Sequence, residues 1–346
     1  MDTVLSQELY GLPPRRLKKL SARIAAEIRR LENLWSIFIE ESDVCRISAA
    51  AGRHAAATAP ETWRLLREAK LRCEQCRGLF DISAAPLVEL WRAAARKGRL
   101  PRRASLQKAR SLVDWRSLGL ENSGSPPQYR AFLPKKGQRI DLGGIGKGAA
   151  ADHAAAVLKK EGLESGLINF GGNVAAIGSR PDGMPWRIGI KNPRQRAGQG
   201  GDPAPALIGL LEVEDAAVAT SGGYERYFEI GGVRRAHIID PSTGRPVEND
   251  LLSATVAADS AAAADAFATA LYVAGLEAGL ALAEDLPVRG ALLIDLEGTV
   301  SQSSGLIGRF FPVDFKIQST DRPYDPAGGI KLLGARPDPG CCEPGL

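Results

Sequence analysis

Trp186-Arg-Ile-Gly-Ile190, Leu207-Ile-Gly-Leu-Leu-Glu-Val213, Arg226-Tyr-Phe-Glu-Ile230 and Ala254-Thr-Val-Ala257 follow one another with no helical stretch between them. Each run is short and either alternates or concentrates apolar residues, as strands do. Strands that succeed one another in this way pair antiparallel, because a parallel neighbour needs a crossover long enough to hold a helix. Helical patterns flank the block without regular alternation. The chain therefore reads as α+β, with mixed or antiparallel sheets and packed helices, and not as a doubly wound parallel sheet. Gln195–Pro205, between the first two runs, reads as a mobile loop.

Toward the C-terminus, Asp259–Val273 and Leu276–Asp285 read as helices, and Ala291–Asp295 and Phe310–Phe315 as strands. Toward the N-terminus, Gly166–Asn169 reads as a strand. An alanine-rich helix ending near Lys160 precedes it, entered through the turn Gly143–Gly148 from a short strand, Arg139–Leu142. Further back, Leu17, Leu20, Ile24, Ile28, Leu31 and Leu34 step by three or four, an amphipathic helix. Pro60 opens a second helix through Trp63, Leu66 and Ala69 to the region of Gly78, and a third follows Pro86 through Leu90 and Trp91. Glu40–Ala51 reads as an irregular polar connection, Gly98–Gly124 as a basic surface excursion, and Ser123–Pro127 as a turn. Met1–Tyr10 alternates as a first strand, broken by Gly11–Pro14. No internal repeat is visible. Residues 1–318 are the expected globular domain, and 319–346, rich in Pro and Gly, a tail.

The 346 residues are 44% hydrophobic and 25% charged, with a formal net charge of +5, ordinary for a globular enzyme. Much of the basic excess lies in Pro14–Arg30 and Arg92–Arg116, where Arg and Lys alternate with apolar residues as on solvated helix faces. Nucleic acid is not the expected partner; an anionic ligand such as a nucleotide accounts for a mildly basic surface. The five cysteines, odd in number and unevenly spaced, do not form a disulfide framework. Cys73-Glu-Gln-Cys76 lacks the second pair or the His of a zinc site, and it reads as two thiols near a helix end. No apolar run reaches the ~18 residues of a membrane span, and Met1–Tyr10 lacks a leader's basic and apolar regions. As written, the chain is expected in the cytoplasm, or in the periplasm if a leader has been removed.

Three elements could carry chemistry. Asp141-Leu-Gly-Gly-Ile-Gly-Lys-Gly148 lies between a strand and a helix, where glycines admit close backbone approach and N–H groups attract phosphate. It matches neither a Walker A loop nor GxGxxG, and a purely structural turn stays open as a reading. Asp265 and Thr269, four apart on a helix, share a face amid alanines. A carboxylate with a hydroxyl suits a hard cation such as Mg²⁺, and an Asp paired with an arginine is the plainer alternative. His237 ends an alternating strand just before the turn Asp240–Gly244, a place for a general base or a phosphate ligand, with a structural imidazole the plainer alternative. His54 and His153 read as surface residues.

These elements also occur in a longer ordered series. Met1-Asp-Thr3, Leu34–Arg46 with Phe38 and Ser42, Phe80–Trp91 and Asp141–Gly148 come first. Ile168–Gly172, Pro185–Ile190, Ala219-Thr-Ser-Gly222, His237–Gly244 and Ala264–Thr269 follow. Over residues 1–315 the series resembles the ApbE family, the Mg²⁺-dependent FAD:protein FMN transferases. Asp2 replaces the family glycine, Ser48 stands where Asn is common, and the Cys73–Cys76 region replaces a small polar turn.

The resemblance implies a two-lobed, T-fold-like architecture with the flavin site in its cleft. It implies side-chain ligation of Mg²⁺ by Asp265 and Thr269, with the main-chain oxygens of Gly144 and Ala268 completing the protein's share. Met1, Phe38, Ser83, Ala84, Ala85, Asp141, Lys147 and Ile239 correspond to FAD-contacting positions, Phe38 as the ring-stacking aromatic. His237 is the candidate proton acceptor. The implied reaction moves FMN from FAD, the substrate, to a Thr or Ser hydroxyl of an acceptor redox protein, a post-translational flavinylation that releases AMP. An Mg²⁺-dependent FAD pyrophosphatase giving FMN and AMP, and a non-catalytic flavin-binding protein, are the rival readings.

Overall fold

The computed structural model describes residues 4–194, 207–224 and 226–313. Met1, the Gln195–Pro205 loop, the end of the Phe310–Phe315 strand and the tail lie outside the described residues.

The centre is a seven-stranded sheet: β1 (Leu5–Tyr10), β2 (Ser165–Phe170), β3 (Asn173–Ile177), β4 (Ala217–Gly222), β5 (Leu251–Ala258), β6 (Gly290–Asp295) and β7 (Val300–Gln302). Spatial order follows this numbering, and every pair is antiparallel. The period-two alternation of a strand sends side chains to two separate cores. Ala175, Ala217, Ala219, Ala254, Val256 and Leu293 face the helices. Val174, Ala176, Val218, Ala257, Leu292 and Ile294 face a three-stranded sheet of Trp186–Lys191, Leu207–Val213 and Phe310–Pro312. Both faces are covered, so the central strands carry apolar residues on both sides. β3 is buried at every position, and neither it nor β4 shows the one-sided alternation that marks a half-buried strand.

The helices come from long insertions between neighbouring strands. The 154 residues between β1 and β2 carry α1 (Pro14–Trp35), α2 (Asp43–Ala50), α3 (Pro60–Gln75), α4 (Ala85–Arg96), α5 (Arg103–Arg110) and α6 (Gly146–Lys160). α7 (Ala261–Ala274) and α8 (Leu276–Asp285) cross from β5 to β6. α1 buries Leu20, Ile24, Ile28, Leu31 and Trp35, the stripe its spacing predicts, with Pro14 in its first turn. α7 is buried almost all round, and its alanines let neighbours come close. A Cβ at Gly148 of α6 would lie 2.1 Å from the Ala261 carbonyl oxygen.

Two expectations need correction and a third gains detail. Glu40–Ala51 is not irregular: Ser42 caps α2 by accepting from the Cys45 N–H at 3.1 Å, and Val44 and Ile47 are its buried face. The Gly98–Gly124 surface excursion also holds α5 and a strand, Gly119–Ser123, that pairs with Gln128–Phe132 across the expected turn. Only Ala109 of α5 is buried, so that helix writes no apolar stripe into the sequence. Arg139–Leu142 is not a strand. Its N–H groups reach the Ile82 carbonyl oxygen (from Asp141, 2.8 Å) and the Ser48 hydroxyl (from Ile140, 3.3 Å).

Candidate active site

The two glycine- and alanine-rich motifs meet where α6 starts beside α7. Asp265 is 5% exposed. Its carboxylate receives the Gly148 N–H at 3.3 Å and faces Lys147 Nζ at 3.4 Å from both oxygens. Lys147 Nζ also donates to the Gly143 carbonyl oxygen at 3.1 Å. One turn along α7, Thr269 Oγ1 donates to the Asp265 carbonyl oxygen at 3.1 Å and lies 3.1 Å from Ser221 Oγ on β4. Gly144 sits against this pair: a Cβ there would lie 3.5 Å from Thr269 Oγ1 and 3.0 Å from the Phe80 ring. Gly144, Lys147, Asp265 and Thr269 are thus brought together from positions over a hundred residues apart.

The donor chemistry fits a hard cation. Charge-assisted hydrogen bonds to a carboxylate normally close to ~2.7–2.9 Å. Among the described residues the buried Asp265 carboxylate has only the longer contacts just given. With the Thr269 hydroxyl and nearby main-chain oxygens it offers the all-oxygen surroundings that Mg²⁺ takes, one carboxylate sufficing when substrate oxygens and water complete the shell. No cluster of three or more His, Cys, Asp or Glu that could hold a metal ion occurs among the described residues.

The positions expected to contact flavin are placed unequally around this centre. Asp141 N–H bonds the Ile82 carbonyl oxygen at 2.8 Å, tying the turn to the Ser83–Ala85 segment, and Asp141 Oδ1 accepts from the Gly143 N–H at 2.8 Å. The Ser83 hydroxyl is committed internally. It donates to Asp81 at 2.6 Å and accepts from the Asp114 N–H at 2.7 Å, and the Ser83 N–H also donates to Asp81 at 2.7 Å, so the main-chain carbonyl is what Ser83 has left for a ligand. Ala84 is half-buried and Ala85, which opens α4, is buried. Ile239 is buried with Leu87 and Trp91, so its side chain faces a core. Phe38, just beyond α1, is 78% exposed, an isolated aromatic with the Arg92 guanidinium 5.5 Å from its ring centre.

His237 is half-buried. Its Nδ1 lies 2.9 Å from the Arg226 carbonyl oxygen. A carbonyl can only accept, so Nδ1 carries the proton and Nε2 presents its lone pair. Burial, then the positive charges of Arg226, Lys147 and Arg92, push the imidazole down to about 4, although its bond to Arg226 opposes the shift. The ring is therefore neutral at physiological pH.

Sequence reasoning missed three contributors. Ser221 lies in the Ala219–Gly222 motif and touches Thr269, but nothing in its neighbours gives it a role. Asp152 on α6 accepts the N–H groups of Ala261 (2.7 Å) and Ala262 (2.8 Å), capping α7 together with Ser260 and fixing the two helices to each other. The Arg226 carbonyl, a main-chain group, has no sequence signal at all. His54 is exposed, and His153 lies 3.5 Å from Glu27 on α1. Cys73 and Cys76 are fully buried, and burial pushes both thiols up, Cys76 to about 12. No described helix is long and apolar enough to cross a membrane.

The ApbE family profile matches residues 1–293. A Klebsiella pneumoniae (strain 342) protein named FAD:protein FMN transferase is 33% identical over 302 residues, covering 87% of this chain and 90% of that protein. A Treponema pallidum (strain Nichols) protein of the same name is 32% identical over 324 residues, covering 87% of each. The solved structure of flavin transferase ApbE from Vibrio cholerae is similar with a TM-score of 0.74 at 29% identity, covering 89% of this chain and 96% of that one. The ApbE protein of Thermotoga maritima gives 0.74 at 28% identity, covering 89% and 98%.

Proposed function

The chain belongs to the ApbE family, and on that premise we propose that it transfers FMN from FAD to a Thr or Ser hydroxyl of an acceptor protein, with Mg²⁺ required and AMP released. The observation that carries the reading is the Asp265 carboxylate, buried and loosely held opposite Lys147, with Thr269 and Gly144 alongside.

Asp265 and Thr269 would hold Mg²⁺ with main-chain oxygens of Gly144 and Ala268, and the ion would offset negative charge on the pyrophosphate. Phe38 offers an exposed aromatic face for the isoalloxazine, beside Arg92 of α4. Asp141 holds the turn from which Lys147 projects, and Lys147 adds a positive charge at the pyrophosphate. The acceptor hydroxyl oxygen bonds to the FMN-side phosphorus while the bond from that phosphorus to the bridging oxygen breaks, and the bridging oxygen leaves on AMP. The hydroxyl proton passes to Nε2 of His237, the nitrogen left free by the Arg226 carbonyl. FAD brings negative charge against the cations that depress this imidazole, which makes Nε2 a stronger base in the complex than in the free protein. Positioning and charge neutralisation account for most of the task, as in other phosphoryl transfers.

Enzyme, FAD, Mg²⁺ and candidate acceptors are mixed and resolved on a denaturing gel. Covalent flavin fluorescence on the acceptor supports transfer, free FMN with AMP and no label means hydrolysis, and unchanged FAD means a binding protein. Asp265→Ala should abolish labelling while circular dichroism stays that of the parent; normal labelling by this variant would refute the metal assignment.

A further inference from the structure

Arg92 lies seven residues beyond Ala85, two turns along the same face of α4. Its guanidinium hangs over the exposed ring of Phe38 at 5.5 Å, and its charge is also felt at His237. One cation thus adjoins the aromatic face and acts electrostatically on the base. Two nearby cations are already committed: Lys147 to Asp265 and the Gly143 carbonyl, and Arg139 to Glu89 at 3.0 Å. Arg92 is half-buried and has no carboxylate partner among the described residues. A partly desolvated guanidinium without a counter-ion, in a corner that also holds Lys147 and Arg226, favours an anion with oxygens spaced for its fork.

In FAD the ribityl chain joins the ring system to the first phosphate. With the ring against Phe38 and the reacting phosphorus near His237, that phosphate falls where Arg92 reaches. We propose that Arg92 binds the FMN-side phosphate and holds the reacting phosphorus between Phe38 and His237. The inference rests on the transferase reading for the choice of ligand. The contact is made to a group that FMN keeps and riboflavin lacks, so it can be read by binding alone.

The test titrates FMN and riboflavin separately into the full chain, following flavin fluorescence, for the parent, Arg92→Gln, Arg92→Lys and Phe38→Ala. Loss of a charge-assisted bond to phosphate should weaken FMN by about tenfold or more in Arg92→Gln and leave riboflavin within about twofold. Arg92→Lys, which keeps the charge but not the fork, should recover part of the FMN affinity, which also separates lost contact from lost fold. Phe38→Ala should weaken both flavins alike. If Arg92→Gln weakens both flavins equally, or neither, the assignment is overturned. A parent protein that prefers FMN through Arg92 yet labels no acceptor would sink the transferase reading and leave the phosphate assignment standing.

Discussion

Asp152 offers the sharpest test of how the site is held. Its carboxylate bridges α6 to the first turn of α7, accepting two main-chain N–H groups at 2.7 and 2.8 Å. Burial raises it from 3.8 to about 6, against the pull of those two N–H groups. At about 1.4 kcal/mol per pH unit, that rise makes the ionised form ~3 kcal/mol less favourable in the folded protein than in the unfolded chain. The folded state binds the proton more tightly, so Asp152's contribution is fully present below the unfolded value and is lost as pH rises through about 6. Asp152→Asn has nearly the same shape, keeps one acceptor oxygen and does not titrate. The stability of the parent relative to this variant should therefore fall with rising pH, by ~2 kcal/mol between about pH 4.5 and about pH 7.5. Other titrations cancel in the comparison. Urea unfolding of both proteins at the two pH values measures it. A gap that stays constant, or moves in the variant's favour as pH falls, would refute the buried brace. Asp152→Ala removes both acceptors and should cost ~1–3 kcal/mol at either pH. It should also raise the Mg²⁺ concentration needed for half-maximal transfer, because α7 carries Asp265 one turn from the freed end.

Gly148→Ala should destabilise the protein by ~3 kcal/mol or more, since the new Cβ meets the Ala261 carbonyl oxygen at 2.1 Å and two packed helices must part; a melting temperature within about 2 °C of the parent would contradict this packing. For His237, depressed to about 4 by burial first and then by neighbouring cations, the neutral ring persists as pH falls below 6.5. Its acid limb in kcat/KM should therefore break near pH 4, and a break near 6.5 that vanishes in His237→Gln would show an unperturbed imidazole. Cys73 and Cys76, buried with raised thiols, should resist a thiol reagent in the native state and react on denaturation. Rapid native labelling at either, located by peptide mapping, would be inconsistent with their burial.

The sequence by itself determined the class of the fold and the kinds of chemistry available. Periodicity placed α1 and α7, because an apolar stripe or an all-apolar run is written directly in residue order. The uninterrupted strands from Trp186 to Ala257 were enough for antiparallel pairing, and the glycines of the Asp141–Gly148 turn marked a close backbone approach. Where burial is not one-sided the pattern fades: β3 is buried on both faces, α5 on almost none, and Arg139–Leu142 is braced by Ile82 and Ser48 without joining a sheet. Only the tertiary structure decided which of these residues meet. Lys147 and Asp265 are 118 residues apart and face each other because Gly148 lets α6 lie against α7 and Asp152 pins the helix ends together. His237 presents Nε2 because a main-chain carbonyl, which no side chain encodes, holds the other nitrogen. Residue order states what each side chain can do; the distances and desolvation that select one role arise when long insertions fold back on the central sheet.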